Sequence, residues 1–249
     1  LSGKVYGIKQ WKQEGNRIRI TVPLGIHSSL FVVFKPKEVQ FQTSDYYGNK
    51  LQDVRNLPLN QQWKVNFQKK MGAPEKADLS AGSYADSEIF GIKYFSGTAT
   101  YQTTKSLSYK EISNEVILDL GEVKNIAEII INDKIVDTLW CPPFKAKISK
   151  FLKPGENKIA IKVTNTWWNR MVGDEQLPED LTWYPNLNYA GKDFRGYEIK
   201  EIPKWVWTGE QRPSKDRVSF SPWKFVEKNS KLEEAGLIGP VNLTFGKID

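Results

Sequence analysis

Histidine, cysteine and methionine are almost missing from this sequence, which has one His, one Cys and two Met in 249 residues. With Cys141 alone there is no internal disulfide, zinc ribbon, Fe–S cluster or resolving-cysteine pair. With His27 alone a multi-histidine metal site such as H-E-x-x-H cannot be assembled. A Ser-His-Asp triad would have to use that single imidazole. Uncharged apolar runs of the ~18–20 residues needed to cross a bilayer are also missing, so no membrane span is expected. The chain opens Leu1-Ser2-Gly3 without a Met or a signal-peptide pattern. That reads as a mature or excised piece, and localisation cannot be taken from this end.

Aromatic and charged residues, by contrast, are plentiful. Nine Trp, ten Tyr and twelve Phe accompany 36 Lys+Arg and 29 Asp+Glu, giving a net charge of +7. Apolar content of 39% and charged content of 26% are those of a globular chain rather than a disordered one. The basic excess is spread over polar strand faces and turns. Its groupings are short, such as Lys69-Lys70 and Lys145/Lys147/Lys150/Lys153, with no block of five or six. Neither an RNP-like aromatic strand nor a zinc-finger spacing occurs, so a Lys-rich solvated surface is expected and a nucleic-acid partner is not.

Period-two patterning dominates and predicts strands. Arg17–Val22 alternates, and Leu30–Phe34 is continuously apolar, which predicts a strand buried on both faces. Trp63–Phe67, Tyr94–Tyr101, Val116–Leu120, Ala127–Ile131, Ile135–Trp140 and Phe144–Ile148 follow. Lys158–Asn165, Val218–Trp223 and Val241–Phe245 complete the series. Asn132-Asp133-Lys134 reads as a hairpin break. Lys153-Pro-Gly-Glu-Asn157 is a turn in which Pro presets φ and Gly accepts positive φ. Many short strands with frequent turns predict an all-β antiparallel sandwich or barrel. Single helical turns are expected near Pro203–Thr208 and Ser230–Ala235. Gly72–Phe90 reads as a long connection. Thr166–Arg217 reads as a functional or interfacial one, since six of the nine Trp lie between Trp167 and Trp223. Polar, Pro-containing sequence at Leu51–Gln62 suggests a boundary. It would leave residues 1–59 as a strand segment too small for its own core and residues 60–249 as the sandwich.

The densest chemical constellation runs from Asn165 to Asp180. Trp167 and Trp168 supply indole faces, Asn169 and Arg170 supply donors, and Asp174, Glu175, Glu179 and Asp180 supply acceptors. Sugars suit such a set, because their C–H faces stack on indole and their hydroxyls bond to carboxylates, amides and guanidinium. Trp183 and Tyr184 extend the candidate site, and Trp205, Trp207 and Trp223 are further aromatic candidates. The competing reading is that Trp167 or Trp168 is core, Arg170 pairs with Asp174 or Glu175, and the rest caps a loop. Calcium on the oxygen ligands is a weaker alternative, since no EF-hand spacing occurs, and no other cofactor is expected. A glycosidase acid/base pair among these carboxylates is a third reading. His27 is expected at an exposed strand end. Cys141, before Pro142-Pro143, is expected to be a half-buried free thiol without a neighbouring base.

Several strings carry a family resemblance. Lys93-Tyr-Phe-Ser-Gly-Thr-Ala-Thr-Tyr101 with Leu118-Asp-Leu-Gly121 resembles the sugar-binding β-sandwich of large glycoside hydrolases. Asn132 to Leu139, Leu139-Trp-Cys-Pro-Pro-Phe144, Leu152-Lys-Pro-Gly-Glu-Asn157 and Val163-Thr-Asn-Thr-Trp-Trp-Asn-Arg170 narrow it. Together with Gly173-Asp-Glu-Gln-Leu-Pro178, Ser221-Pro-Trp-Lys224 and Ala235-Gly-Leu-Ile-Gly-Pro240, they resemble the C-terminal region of an α-L-rhamnosidase family, that of glycoside hydrolase family 106. Pro23-Leu24 and Ser29–Phe34 are similar to the last strands of the preceding domain. The resemblance implies a galactose-binding-like jelly roll, a rhamnose-containing glycan as partner, and secreted or periplasmic polysaccharide degradation. In that family the catalytic carboxylates sit in an upstream (β/α)-barrel, which takes about 250 residues. No catalytic residue is therefore carried over. The implied role is non-catalytic, binding sugar or supporting the catalytic barrel of a parent glycoside hydrolase. The alternatives are a purely structural interdomain module and an autonomous glycosidase using Asp174–Asp180.

Overall fold

A computed structural model describes residues 11–22, 29–34, 52–59, 62–184 and 196–247. In chain order, β1 (Trp11–Glu14) and β2 (Arg17–Ile20) form a solvent-exposed hairpin. Then come β3 (Gln52–Pro58), β4 (Trp63–Phe67), β5 (Lys76–Leu79), helical turn α1 (Phe90–Lys93) and β6 (Thr98–Leu107). Helical turn α2 (Tyr109–Ile112) precedes β7 (Glu115–Asp119), β8 (Glu122–Lys124), β9 (Ile126–Ile131), β10 (Lys134–Leu139), β11 (Lys145–Lys147) and β12 (Gly155–Thr164). Helix α3 (Trp168–Asp174), β13 (Tyr197–Glu198), turn α4 (Trp205–Thr208), β14 (Trp223–Lys224), β15 (Gly236–Gly239) and β16 (Asn242–Lys247) finish the chain.

The architecture is an antiparallel β-sandwich. One sheet has the order β10-β9-β12-β6-β4-β5 and the other β11-β7-β16-β3, with a short β15-β8 ribbon beside them. β12 is the spine of the larger sheet, paired along its length with β6 and over its second half with β9. Alternation decides the faces, because successive side chains point to opposite sides of a strand. Ile159, Ile161 and Val163 on β12, Ala127, Ile129 and Ile131 on β9, and Trp63, Val65 and Phe67 on β4 are buried. Val116 and Leu118 on β7 and Leu243 and Phe245 on β16 join them in one core. Lys158 and Lys162 on the opposite face reach Asp133 and Glu128.

Three polar fixtures organise this core. Tyr101 stacks on Tyr84 at a ring separation of 6.3 Å and donates to its hydroxyl at 2.7 Å, while the Leu237 amide donates to Tyr101 Oη at 3.2 Å. Burial pushes the Tyr101 phenol up to about 12, although those two hydrogen bonds pull the other way. The β9–β10 hairpin turns through Asn132 and Asp133 at φ of 49° and 65°, the two positive values that a type I′ turn requires. Asn157, with 0% exposure, ties that hairpin to the Lys153–Asn157 turn. Its Oδ1 accepts from Asn132 Nδ2 at 2.8 Å and from the Lys153 amide at 2.9 Å. Its Nδ2 donates to the Lys153 and Gly155 carbonyls.

Several expectations are corrected. Leu30–Phe34 is not a strand, and Phe31, Val33 and Phe34 are 84%, 69% and 74% exposed. An apolar run becomes a buried strand only when neighbours flank it, and no described strand lies alongside. Val218–Trp223 is likewise not a strand beyond the short β14. The Val218 and Ser219 amides bond to the Asp174 carboxylate instead of to another strand. Ser230–Ala235 is not helical, because the Glu233 main chain is held at both N–H and C=O by the Asn169 side chain. The acidic run expected as loop begins as helix α3. The Gly72–Phe90 connection contains β5 and a 3-10 turn at Tyr84–Asp86. The suggested boundary region contains β3, which pairs with β16, and Leu59 is buried with its amide on the Val241 carbonyl. Residues 52–59 are therefore part of the sandwich sheet. His27 and Pro23-Leu24 lie outside the described residues.

Asn157→Ala should lower unfolding free energy in urea by about 1–3 kcal/mol, because it leaves buried donors and an acceptor without partners. A loss below a few tenths would show that the two turns are held by other contacts.

Candidate functional site

The site region grows from the end of the central strand. Beyond Thr164, Asn165 Oδ1 accepts from the Gly97 amide at 2.8 Å and Nδ2 donates to the Phe95 carbonyl at 2.8 Å, so the departing chain is fixed to the loop before β6. The chain then coils into α3. Arg170 is 1% exposed and lies 2.8 Å from Asp174 Oδ1, one helical turn on. Glycines make room for it. A Cβ at Gly72 would stand 2.6 Å from Arg170 Nη1, and one at Gly173 would stand 2.8 Å from Nη2. The Arg170 backbone amide donates to Ser96 Oγ at 3.2 Å. Asp174 Oδ2 accepts from the Val218 and Ser219 amides at 3.0 and 2.6 Å and from Ser219 Oγ at 2.6 Å.

The next carboxylates are met by cations returning from later sequence. Asp180 takes a two-pronged contact from Arg212, at 2.6 Å to Nε and 2.9 Å to Nη2. Arg217, 4% exposed at its side chain, lies 3.3 Å from Glu175 and 3.5 Å from Glu179 and donates to the Leu177 and Pro178 carbonyls. Lys224 Nζ sits 2.7 Å from Glu175 Oε2 and 2.6 Å from Glu179 Oε2. Burial alone would raise the Glu179 and Asp180 carboxyls, but the hydrogen bond from Lys224 and the charge of Arg217 hold Glu179 below its ordinary value, and Arg212 does the same for Asp180. Lys224 moves the other way: burial alone would lower it, and bonds to Glu175 and Glu179 raise it instead.

Above this network lies an open depression of about 530 Å³, lined by Glu175, Trp183, Tyr184, Tyr197, Lys224, Glu227 and Lys228. The Trp183 and Tyr184 wall is set by main-chain pairing: Tyr184 N–H bonds to the Glu198 carbonyl at 2.8 Å, and Trp183 bridges to Ile199. Lys224 Nζ stands 5.8 Å from the Trp183 ring centre and Lys200 Nζ 6.0 Å from that of Tyr184.

The sequence-derived candidates separate into two groups. Glu175, Trp183 and Tyr184 line the depression. Asn169, Arg170 and Asp174 are buried beneath, and their polar atoms hold the Glu233 main chain, each other and the 218–219 segment. Trp168 is half-buried, with its Nε1 on the Lys231 carbonyl, and Trp167 is 51% exposed without lining the depression. Tyr197, Lys224, Glu227 and Lys228 line it without having been singled out. The available signal was charge: Arg212, Arg217 and Lys224 answer three carboxylates, Glu175, Glu179 and Asp180, at a sequence distance of more than thirty residues. Among the described residues no three His, Cys, Asp or Glu side chains converge to hold a metal. No described helix is long and apolar enough to cross a membrane.

Similarity to known proteins follows this frame. The "Putative beta-glucuronidase" of Formosa agariphila is 40% identical over 186 residues, covering 73% of this chain and 15% of that protein. The rhamnosidase of Novosphingobium sp. PP1Y superimposes at a TM-score of 0.59 with 27% identity, over 82% of this chain and 16% of that one. The sandwich is related to a segment of glycoside hydrolases. A β-glucuronidase of Ruminococcus gnavus, at TM-score 0.41 and 19% identity over 51% of this chain and 23% of that one, is too distant to add weight. No protein-family model matches the chain.

Two outcomes are expected. Arg170→Ala should cost about 3–5 kcal/mol, measured by urea unfolding, because it strands a buried carboxylate. The second concerns pH. Glu179 and Asp180, lowered in the folded state, stabilise it above their unfolded values near ~4 and lose that contribution as pH falls through the folded values. Lys224, raised, contributes below about 10.4 and loses it as pH rises through its folded value. Stability of Glu179→Gln/Asp180→Asn should therefore fall less steeply than wild type on acidification. Parallel acid limbs would contradict the pairing.

Proposed function

We propose that this chain is a non-catalytic β-sandwich of an α-L-rhamnosidase-like glycoside hydrolase, galactose-binding-like in fold, that contacts carbohydrate and supports a catalytic barrel. Its setting would be secreted or periplasmic polysaccharide degradation, with a rhamnose-containing glycan as partner. The observation that carries the reading is the depression, in which Trp183, Tyr184 and Tyr197 flank carboxylates and ammonium groups. Aromatic faces beside fixed hydrogen-bonding groups are what a pyranose ring requires. The 40% identity to a segment of a protein named as a β-glucuronidase, and the superposition on a rhamnosidase, support the glycosidase setting. The sandwich unit would begin at or before Gln52, since β3 belongs to its sheet.

Glu179, Asp180 and Asp174 are poorly suited to serve as the general acid of an autonomous glycosidase. A general acid needs a raised pKa, whereas Glu179 and Asp180 are lowered by their cations. Asp174 is 2% exposed and saturated on one oxygen by three donors. A supporting role has its own observation. Trp207 on α4 and Trp140 after β10 are 63% and 62% exposed, indole faces that a neighbouring domain would cover.

Titration with rhamnose-containing oligosaccharides, followed by Trp fluorescence, should saturate with Kd between millimolar and micromolar, roughly 4–8 kcal/mol. Tyr184→Ala should weaken binding severalfold without changing the melting temperature. Flat titrations across a broad glycan panel would remove the binding role and leave support alone.

A further inference from the structure

Resting on the carbohydrate-contact reading, we infer that the sugar seated in the depression carries an anionic substituent, a carboxylate or a sulfate, and that Lys228 and Lys200 receive it. The charged side chains around the depression divide into a paired layer and an unpaired remainder. In the layer, Glu175, Glu179 and Asp180 face Arg217, Lys224 and Arg212, three carboxylates against three cations, so it is neutral as a whole. Glu227 and Lys228 remain in the lining, and Lys200 stands beside it with Nζ 6.0 Å from the Tyr184 ring centre. Glu198 does not offset them. Across β13 and β14, Tyr197 pairs with Lys224 and Glu198 with Trp223; the first pair lines the depression, so alternation turns Glu198 away from it. The remainder is two ammonium groups against one carboxylate, of the same sign as the chain's net +7, which attracts anions at long range.

Both lysines rise from anchored main chain. The Lys228 carbonyl accepts from Gln176 Nε2 at 2.7 Å, just past the end of α3. The turn that carries Lys228 is closed on itself, with the Glu227 amide on Ser230 Oγ at 2.9 Å and the Ser230 amide on the Glu227 carbonyl at 2.9 Å. The Lys200 amide donates to the Thr182 carbonyl at 2.8 Å, within the same pairing that sets Trp183 and Tyr184. Among the described residues neither ammonium group forms an ion pair. Each therefore has its three protons free for a ligand, and an anion on the sugar meets them without breaking an existing pair. Such charge-assisted bonds are about twice as strong as those from a neutral hydroxyl. Glu227, which only accepts, is left for a sugar hydroxyl, and the rings of Tyr184 and Tyr197 for the C–H face.

The test titrates the full chain by calorimetry, at two salt concentrations, with methyl β-D-glucopyranoside, methyl β-D-glucopyranosiduronate, methyl β-D-glucopyranoside 6-sulfate and methyl α-L-rhamnopyranoside. At low salt an anionic glucoside is expected to bind roughly two- to fivefold more tightly than the neutral one, the size of an exposed charge pair, and salt should erode that advantage. The tighter of the two anions identifies the substituent. Lys228→Gln and Lys200→Gln, both at exposed positions, should each reduce the advantage and together abolish it, while Glu227→Gln should enlarge it. Lys147→Gln removes the same charge from an exposed position on β11, outside the lining, and should leave the ratio unmoved. Melting curves check that the variants fold. Anionic glucosides bound no more tightly than the neutral one, an advantage kept by the double variant, or one that Lys147→Gln lowers equally, would each overturn the inference, while rhamnoside binding keeps the broader reading intact. Absence of binding to all four glycosides removes both.

Discussion

The Asp174 carboxylate is the joint on which the C-terminal part of this molecule turns. One oxygen faces the buried Arg170 guanidinium and the other gathers two amides and a hydroxyl from residues 218–219. It thereby links helix α3, which departs from the central strand, to a segment more than forty residues later. A buried carboxylate without such partners would be far too costly to keep ionised. The same logic repeats outward. Glu175, Glu179 and Asp180 follow in a short stretch and would repel one another, and Arg212, Arg217 and Lys224 return to neutralise them. The walls of the depression stand on that neutralised layer.

The sandwich supplies what the charge layer cannot, namely a fixed origin. β12 lies inside its sheet with β6 on one side and β9 on the other, so the point at which α3 begins is set by main-chain ladders on both edges. Asn165 carries that order one residue past the strand by bonding to the 95–97 loop. Binding and contact residues on loops held by a rigid scaffold are a recurrent arrangement. Here the scaffold ends at Thr164, helix α3 begins four residues on, and Glu175 at its end is the first residue to line the depression.

The fold was legible where a single strand's pattern suffices. Ile159, Ile161 and Val163 alternate in sequence and are inward in space, and Asn132-Asp133 turns the hairpin that its polarity announces. Pattern misled where a long-range partner decides. Leu30–Phe34 has the composition of a core strand without a described neighbour, and Val218-Ser219 gives its amides to Asp174 rather than to a ladder. Helix α3 is seven residues long, shorter than the window over which a 3.6 period can be read. Within the site, composition located the acidic and aromatic run but not which members face solvent. Arg170 and Asp174 sit one helical turn apart and bury each other, whereas Glu175, the next residue, reaches the depression. The neighbours Arg212, Arg217 and Lys224 lie too far along the chain for any local signal.

Asp174 couples α3 to the returning segment and so shapes the depression. Native-state hydrogen exchange of Asp174→Asn against wild type tests it most directly. Faster exchange is expected at the Val218 and Ser219 amides, spreading through 175–184 and 212–224, while β12 and β9 keep their protection. Unchanged exchange at 218–219, or a uniform loss that includes β12, would contradict it.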